Sequence, residues 1–86
     1  MSEIKTEELK KMITDNIKTL KGEQSYSQLS NKSNLTAARL SDAANNKIDF
    51  RISTFIEIAI ALRVHPKELL NIDFDFESYY KELDNI

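Results

Sequence analysis

Glycine and proline are almost absent from this chain. Its 86 residues include one glycine, Gly22, and one proline, Pro66. A sheet with many tight turns depends on these two residue types, so their scarcity favours a helical fold. The length suits one compact unit with its own core and is too short for two domains. With 41% hydrophobic and 30% charged residues, the composition is typical of a globular protein. We therefore predict an all-α fold.

Several classes of protein are disfavoured by what the sequence lacks. It contains no cysteine and one histidine, so we expect neither a disulfide nor a metal site. We expect no cofactor, because no ligand domain fits in the length that the helical domain leaves. A Gly-rich phosphate loop, a histidine paired with a nucleophile and clustered carboxylates are all missing, so we predict that the protein is not an enzyme. No apolar run approaches the ~20 residues that span a bilayer. The acidic start of the chain, Met1–Lys5, is unlike a signal peptide, and we expect a cytoplasmic location.

The distribution of charge divides the chain near residue 72. The first 72 residues carry eleven basic and nine acidic residues, whereas residues 73–86 carry five acidic residues and Lys81. The net charge of −2 therefore arises in the C-terminal segment, and the rest is mildly basic. We predict a domain over residues 1–72 and an acidic, aromatic extension over residues 73–86.

Hydrophobic periodicity and capping residues predict the helices. The expected helices are Thr6–Lys21, Tyr26–Lys32, Ala37–Ala44, Ile52–Arg63 and Pro66–Leu70, followed by a short helix from about Glu77. The expected N-caps are Thr6, Ser25 (with Gln28 completing a capping box), Thr36 and His65. Asn34 and Asn46 are turn residues that tolerate positive φ. The fourth helix is apolar on most faces, so we expect it to be buried in the middle of the bundle.

The second and third predicted helices form the pattern of a helix-turn-helix unit. They are short and are joined by a turn of a few residues around Ser33 and Asn34. In such a unit the first helix supports the second, and the second enters the major groove of DNA with short side chains near its N-terminus. The segment Thr36–Ala44 has this character.

Three segments resemble the phage-repressor family, the Cro-like or xenobiotic-response-element group. Leu29–Thr36 looks like its Leu-Ala-x-Lys-x-Gly-Val-Ser stretch, and Arg39–Lys47 is similar to its x-Ile-Ser-x-Ile-Glu-x-Gly-Lys. Phe55–Leu70 resembles its Leu-x-x-Ile-Ala-x-Ala-Leu-x-Val-x-x-x-x-Leu-Leu segment most closely. The similarity covers roughly residues 12–72. It departs from the family at Ser30 and Ala44, and at the two glycines that Asn34 and Asn46 replace.

The resemblance implies a five-helix, lambda-repressor-like bundle that binds double-stranded DNA and regulates transcription. Repression would follow from occlusion of the DNA by the bound protein. The implied base-reading residues are Thr36, Ala37, Ala38, Arg39, Ser41 and Asp42. The implied phosphate contacts are Ser25, Tyr26, Lys32, Asn45, Lys47 and Arg51.

Interpretations of the same residues that do not involve DNA also stay open. Arg39 is suited to bidentate contact with guanine, and its alternative role is that of a solvated helix residue. Asp42 is an acceptor for a cytosine amine, a partner for Arg39, or a solvated carboxylate. Lys47 and Arg51 are ordinary unpaired charges of a loop if they do not contact phosphate. A protein-interaction module, such as an antitoxin that binds a toxin-like partner through the same fold and tail, is the alternative function.

The C-terminal extension holds four of the seven aromatic residues. These are Phe74, Phe76, Tyr79 and Tyr80. Such a density exceeds what a solvated tail needs. We expect these side chains either to fold back on the first helix or to bury against a second subunit in a homodimer.

Overall fold

The computed structural model describes residues 4–85, and every regular element in that range is helical. The elements are α1 (Thr6–Lys21), α2 (Tyr26–Ser30), α3 (Ala37–Ala44), α4 (Ile52–Leu62), a 3₁₀ helix (Pro66–Leu70) and α5 (Phe76–Asp84). The predicted all-α class is confirmed. The expectation that the chain does not start with a signal peptide rests on Met1–Lys5, and residues 1–3 lie outside the described range. None of the helices between residues 4 and 85 has the length and apolar character needed to cross a membrane.

Side-chain caps begin α2 and α3 where the sequence predicts them. The Gln28 amide N–H donates to Ser25 Oγ over 3.1 Å, and the Ser25 N–H donates to Gln28 Oε1 over 2.8 Å, which completes the capping box. The Arg39 N–H donates to Thr36 Oγ1 over 3.1 Å. The predicted cap at Thr6 is wrong, because Thr6 is the first helical residue and the preceding Lys5 provides no side-chain cap.

Positive φ angles occur at three positions in residues 4–85. Gly22 (φ 59°) follows α1 and Asn46 (φ 60°) follows α3, both as the sequence predicts. Arg63 (φ 58°) ends α4 in the left-handed region, a place where glycine is the usual residue. Asn34 does not have positive φ, so the expectation of a left-handed turn there is wrong.

The core lies where α1, α2, α3, α4 and the 3₁₀ helix meet. Its largest fully buried side chains are Ile58, Leu69 and Thr14. The other buried members are Ile17, Leu29, Leu40, Ala43, Ala44, Ala59, Ala61 and Leu62. The prediction that α4 is buried on most faces is wrong for one side, because Ile52, Ile56 and Ile60 are exposed. Periodicity shows which residues are apolar and does not show how many neighbours a helix has.

The predicted fifth helix is a single 3₁₀ segment. Pro66 occupies its first turn, and His65 Nδ1 accepts from the Lys67 N–H over 3.0 Å, which confirms the predicted cap. Asn16 on α1 donates through Nδ2 to the carbonyl oxygens of Glu68 (2.7 Å) and Leu69 (3.2 Å). The Glu68 carbonyl also accepts from the Asn71 N–H over 3.3 Å, so the Asn16 bonds add to the capping of the 3₁₀ helix and fix α1 to it.

The C-terminal segment forms its own aromatic cluster beside the start of α1. The Lys5 N–H donates to Tyr79 Oη over 2.6 Å, and Tyr79 is buried. Phe74 meets the Phe76 and Tyr79 rings edge-on, at centroid distances of 4.8 and 5.4 Å. Tyr80, in contrast, is 54% exposed. The molecule measures 48 × 22 × 21 Å, an elongated shape for a chain of this length.

Candidate nucleic-acid interface

Helices α2 and α3 pack closely against each other and form the candidate interface. They are joined by residues 31–36, and Leu29 of α2 and Leu40 of α3 are buried in the shared core. Helix α1 also packs against α3. Because its inner side chains are buried on α1 and α2, α3 is held in a fixed orientation with its other side toward solvent.

The turn between α2 and α3 is fixed by α4. Glu57 accepts from the Asn34 N–H (2.9 Å) and from Asn34 Nδ2 (3.2 Å). Within the turn, Ser33 Oγ accepts from the Leu35 N–H over 3.2 Å. Sequence reasoning missed Glu57, which lies 23 residues from Asn34 and carries no local signal of its partner. These bonds set where α3 starts.

Helix α3 has one buried and one exposed face. Leu40, Ala43 and Ala44 are buried. Of the six predicted base-reading residues, Thr36, Ala38 and Arg39 are exposed, and Ala37, Ser41 and Asp42 are half-buried. The exposed face therefore consists of small side chains around one long cation, Arg39. A surface of this shape allows close approach of the helix backbone to another molecule.

Arg39 and Asp42 both lie on α3 and are not paired with each other in the described part of the chain. No ion pair joins them within residues 4–85, where the ion pairs are Lys10–Asp49, Lys11–Asp15 and Lys81–Glu77. Arg39 therefore presents a guanidinium whose donors are not used by a neighbouring carboxylate.

The predicted phosphate contacts differ in how much of each side chain is already engaged. Lys32 is half-buried and its Nζ donates to Gln24 Oε1 over 2.7 Å. Asn45 donates through Nδ2 to the Ser41 carbonyl over 2.8 Å. Lys47 and Arg51 are exposed, and neither side chain forms a hydrogen bond or ion pair within the described range. Among the predicted phosphate contacts, Lys47 and Arg51 are thus the two cations whose side chains are not engaged within residues 4–85.

A hydroxyl side chain and an aromatic ring lie at the start of α2. Ser25 is exposed and is used as the cap of α2, while Tyr26 is half-buried. The Lys21 ammonium lies 4.6 Å from the centroid of the Tyr26 ring, a cation–π contact that the sequence analysis did not predict. Lys21 thereby brings a further positive charge to the start of α2.

No protein-family model, no curated protein and no solved structure matches this chain. The resemblance to the phage-repressor family accordingly rests on the three quoted segments alone.

Proposed function

We propose that the protein binds double-stranded DNA in a sequence-specific manner and regulates transcription by occlusion. In this proposal α3 lies in the major groove, and cations on either side of it contact the phosphates. The observation that carries the proposal is the exposed face of α3, where Ala38 and Thr36 flank an Arg39 that forms no ion pair within residues 4–85. Small side chains let a helix enter a groove about 12 Å wide.

Arg39 is the residue that would supply base specificity. A guanidinium presents two parallel donors that match the O6 and N7 atoms of guanine. Ala37 and Ala38 add apolar contact with a thymine methyl group. Asp42, half-buried one turn farther along α3, would accept from a cytosine amine.

Lys47 and Arg51 would supply most of the non-specific affinity. Both follow α3 in the chain, in the loop before α4, and both are exposed. Phosphate contacts of this kind release counterions, so the affinity should fall steeply as the salt concentration rises. They would also fix the register of α3 along the groove.

Selection of bound fragments from random double-stranded DNA tests the proposal. We expect one motif to be enriched, and we expect its affinity, measured by fluorescence anisotropy, to fall as salt is raised. Failure of any sequence to be enriched at low salt would contradict the proposal.

Two substitutions on the exposed face then test whether α3 is the reading surface. Arg39→Ala should weaken binding to the selected motif by about 1–3 kcal/mol and relax the preference at one position. Ala38→Glu places a negative charge on the same face and should abolish binding.

Thr19→Glu is the matched control, since it adds the same charge to an exposed position of α1 and should bind within about threefold of the unaltered protein. If Ala38→Glu and Thr19→Glu weaken binding equally, α3 is not the surface that contacts DNA.

A further inference from the structure

Glu57 lies in the middle of α4 and contacts the turn between α2 and α3 with both of its carboxylate oxygens. Oε1 accepts from the Asn34 N–H over 2.9 Å, and Oε2 accepts from Asn34 Nδ2 over 3.2 Å. Two hydrogen bonds to one residue fix its orientation as well as its distance. Glu57 is not among the residues proposed to contact DNA, so any effect that it has on binding is exerted through the turn.

The α2–α3 turn depends on side-chain acceptors and not on a left-handed residue. Asn31, which ends α2, is right-handed, and Asn34 does not have positive φ. The Asn34 N–H instead finds its acceptor on Glu57, and the Leu35 N–H finds its acceptor on Ser33 Oγ. Water could satisfy the same N–H groups, but it would not fix where they lie. The path of the chain into α3 is therefore set partly from α4.

Core packing holds the second half of α3 more firmly than its start. Leu40, Ala43 and Ala44 are buried, whereas Thr36, which caps the helix, is exposed. The residue before the cap, Leu35, is partly buried against the core. One residue earlier still, the two bonds to Glu57 hold the chain. Loss of these bonds would therefore be felt mainly in the first turn of α3, where the proposed base-reading residues lie.

We propose that Glu57 is a positioning residue for α3 and determines how well Arg39 discriminates between bases, an inference that rests on the DNA-binding function proposed above. Hydrogen bonds to base edges weaken steeply when their distance or angle changes, so a small shift of the first turn would misalign the Arg39 guanidinium. The attraction of Lys47 and Arg51 to phosphates changes slowly with distance. Glu57 therefore governs the preference for one DNA sequence and not the affinity for DNA in general.

Amide hydrogen exchange of the full chain, measured by NMR without DNA, tests the contact itself. Glu57→Ala should raise the exchange rate of the Asn34 N–H severalfold and shift the amide signals of residues 36–39, because that N–H is left to water. Signals of the 3₁₀ helix should stay in place, and circular dichroism should show the helical content unchanged. An Asn34 exchange rate that is the same in both proteins would overturn the proposal.

The consequence for DNA is measured as the ratio of two affinities, one for the selected motif and one for a scrambled duplex of the same length. Glu57→Ala should weaken binding to the motif about tenfold, the size expected when hydrogen bonds to a charged group are lost. Binding to the scrambled duplex should stay within about threefold, because the phosphate contacts are unchanged. Glu8→Gln removes the same charge from an exposed position of α1 and should leave the ratio unchanged.

A double variant exchanges donor and acceptor between the two side chains. Glu57→Gln combined with Asn34→Asp keeps the total charge, and it lets the amide at position 57 donate to the carboxylate at position 34. The double variant should recover the preference for the motif to within about threefold. Asn34→Asp alone sets two carboxylates against each other and should lose that preference. A double variant with no more preference than Asn34→Asp alone would contradict the role of the pair.

The outcomes separate the role of Glu57 from the DNA-binding function. If the unaltered protein enriches no motif, the DNA-binding function is contradicted, and the role of Glu57 in base preference falls with it. If the unaltered protein selects a motif and Glu57→Ala keeps the same preference, the role of Glu57 is overturned while the DNA-binding function stands. Equal weakening on the motif and on the scrambled duplex would also overturn it, because the effect would then lie in phosphate contacts or in folding.

Discussion

Helices α3 and α4 are alike on their inner faces and opposite on their outer faces. Both bury alanines and larger aliphatic residues in the same core, including Leu40 on α3 and Ile58 on α4. Outward, α3 shows threonine, alanine and arginine, whereas α4 shows Ile52, Ile56 and Ile60. The inner faces explain why the bundle folds, and only the outer faces distinguish what each helix binds.

The two outer faces differ in the kind of partner that stabilises contact. A face of small side chains around one cation gains little from leaving water, but it permits close approach to a polar, negatively charged groove. An aliphatic ridge gains most from excluding water against another apolar surface. The outer face of α3 therefore suits the DNA partner that we propose for it, and the outer face of α4 does not.

The largest difference between an inner and an outer position should appear in the free energy of unfolding, when two isoleucines of α4 are compared. Ile58 is 2% exposed and Ile56 is 44% exposed. Ile58→Ala should lower the free energy of unfolding by about 2–5 kcal/mol, because a cavity remains in the core. Ile56→Ala should lower it by less than about 1 kcal/mol, because the side chain is already partly in water. Urea unfolding followed by circular dichroism measures both, and equal losses would refute the assignment of inner and outer faces.

A smaller effect should distinguish how the two helices begin. Thr36 caps α3, whereas the Arg51 side chain makes no cap bond to α4. Thr36→Ala should lower the free energy of unfolding by about 1 kcal/mol. Arg51→Ser should raise it by a few tenths of a kcal/mol, because serine supplies the acceptor that α4 lacks. Thermal melts report both changes, and a neutral Thr36→Ala would show that the cap bond does not contribute.

The smallest expected effect is a pH dependence of helix stability that distinguishes the N-cap of α5 from the Thr36 cap of α3. Asp75 caps α5, and hydrogen bonds from the Ser78 N–H and then the Ser78 hydroxyl hold the pKa of this carboxyl below its ordinary value of 3.8. A lowered folded pKa gives stability above the unfolded value that is lost as pH falls through the folded pKa. We expect α5 to loosen below about pH 4 while α3, capped by a hydroxyl that does not titrate, keeps its first turn.

An NMR titration of carboxyl and amide signals measures this difference. Ser78→Ala should bring the pKa of Asp75 partway back toward its ordinary value, since it removes the hydroxyl bond and keeps the backbone bond. An Asp75 pKa at or above that ordinary value in the unaltered protein would contradict the cap.

Features set by local chemistry could be predicted from the sequence, and features set by distant contacts could not. Ser25 with Gln28, Thr36 and Asn46 were predicted because each acts within four residues of its own position. The position of the α2–α3 turn depends on Glu57, which no local pattern connects to Asn34. The exposed side of α4 was not predicted either, because an apolar residue looks the same whether or not another element covers it.

The candidate site follows the same division. The sequence located α3 and its exposed Arg39, since both follow from capping and helical spacing. It did not show that Lys32 is engaged by Gln24 while Lys47 has no partner within residues 4–85, because side-chain engagement depends on packing. Lys47 and Arg51 are therefore stronger candidates than Lys32 for contact with phosphate.

The most direct test of the central claim is an amide NMR titration with the selected DNA duplex. The account predicts that signals of Thr36–Ser41 and of the loop around Lys47 shift strongly on binding. Signals of Ile52, Ile56 and Ile60 should change little with DNA. Strong DNA-dependent shifts confined to α4 or α5, with α3 unchanged, would contradict the assignment of α3 as the DNA-binding helix.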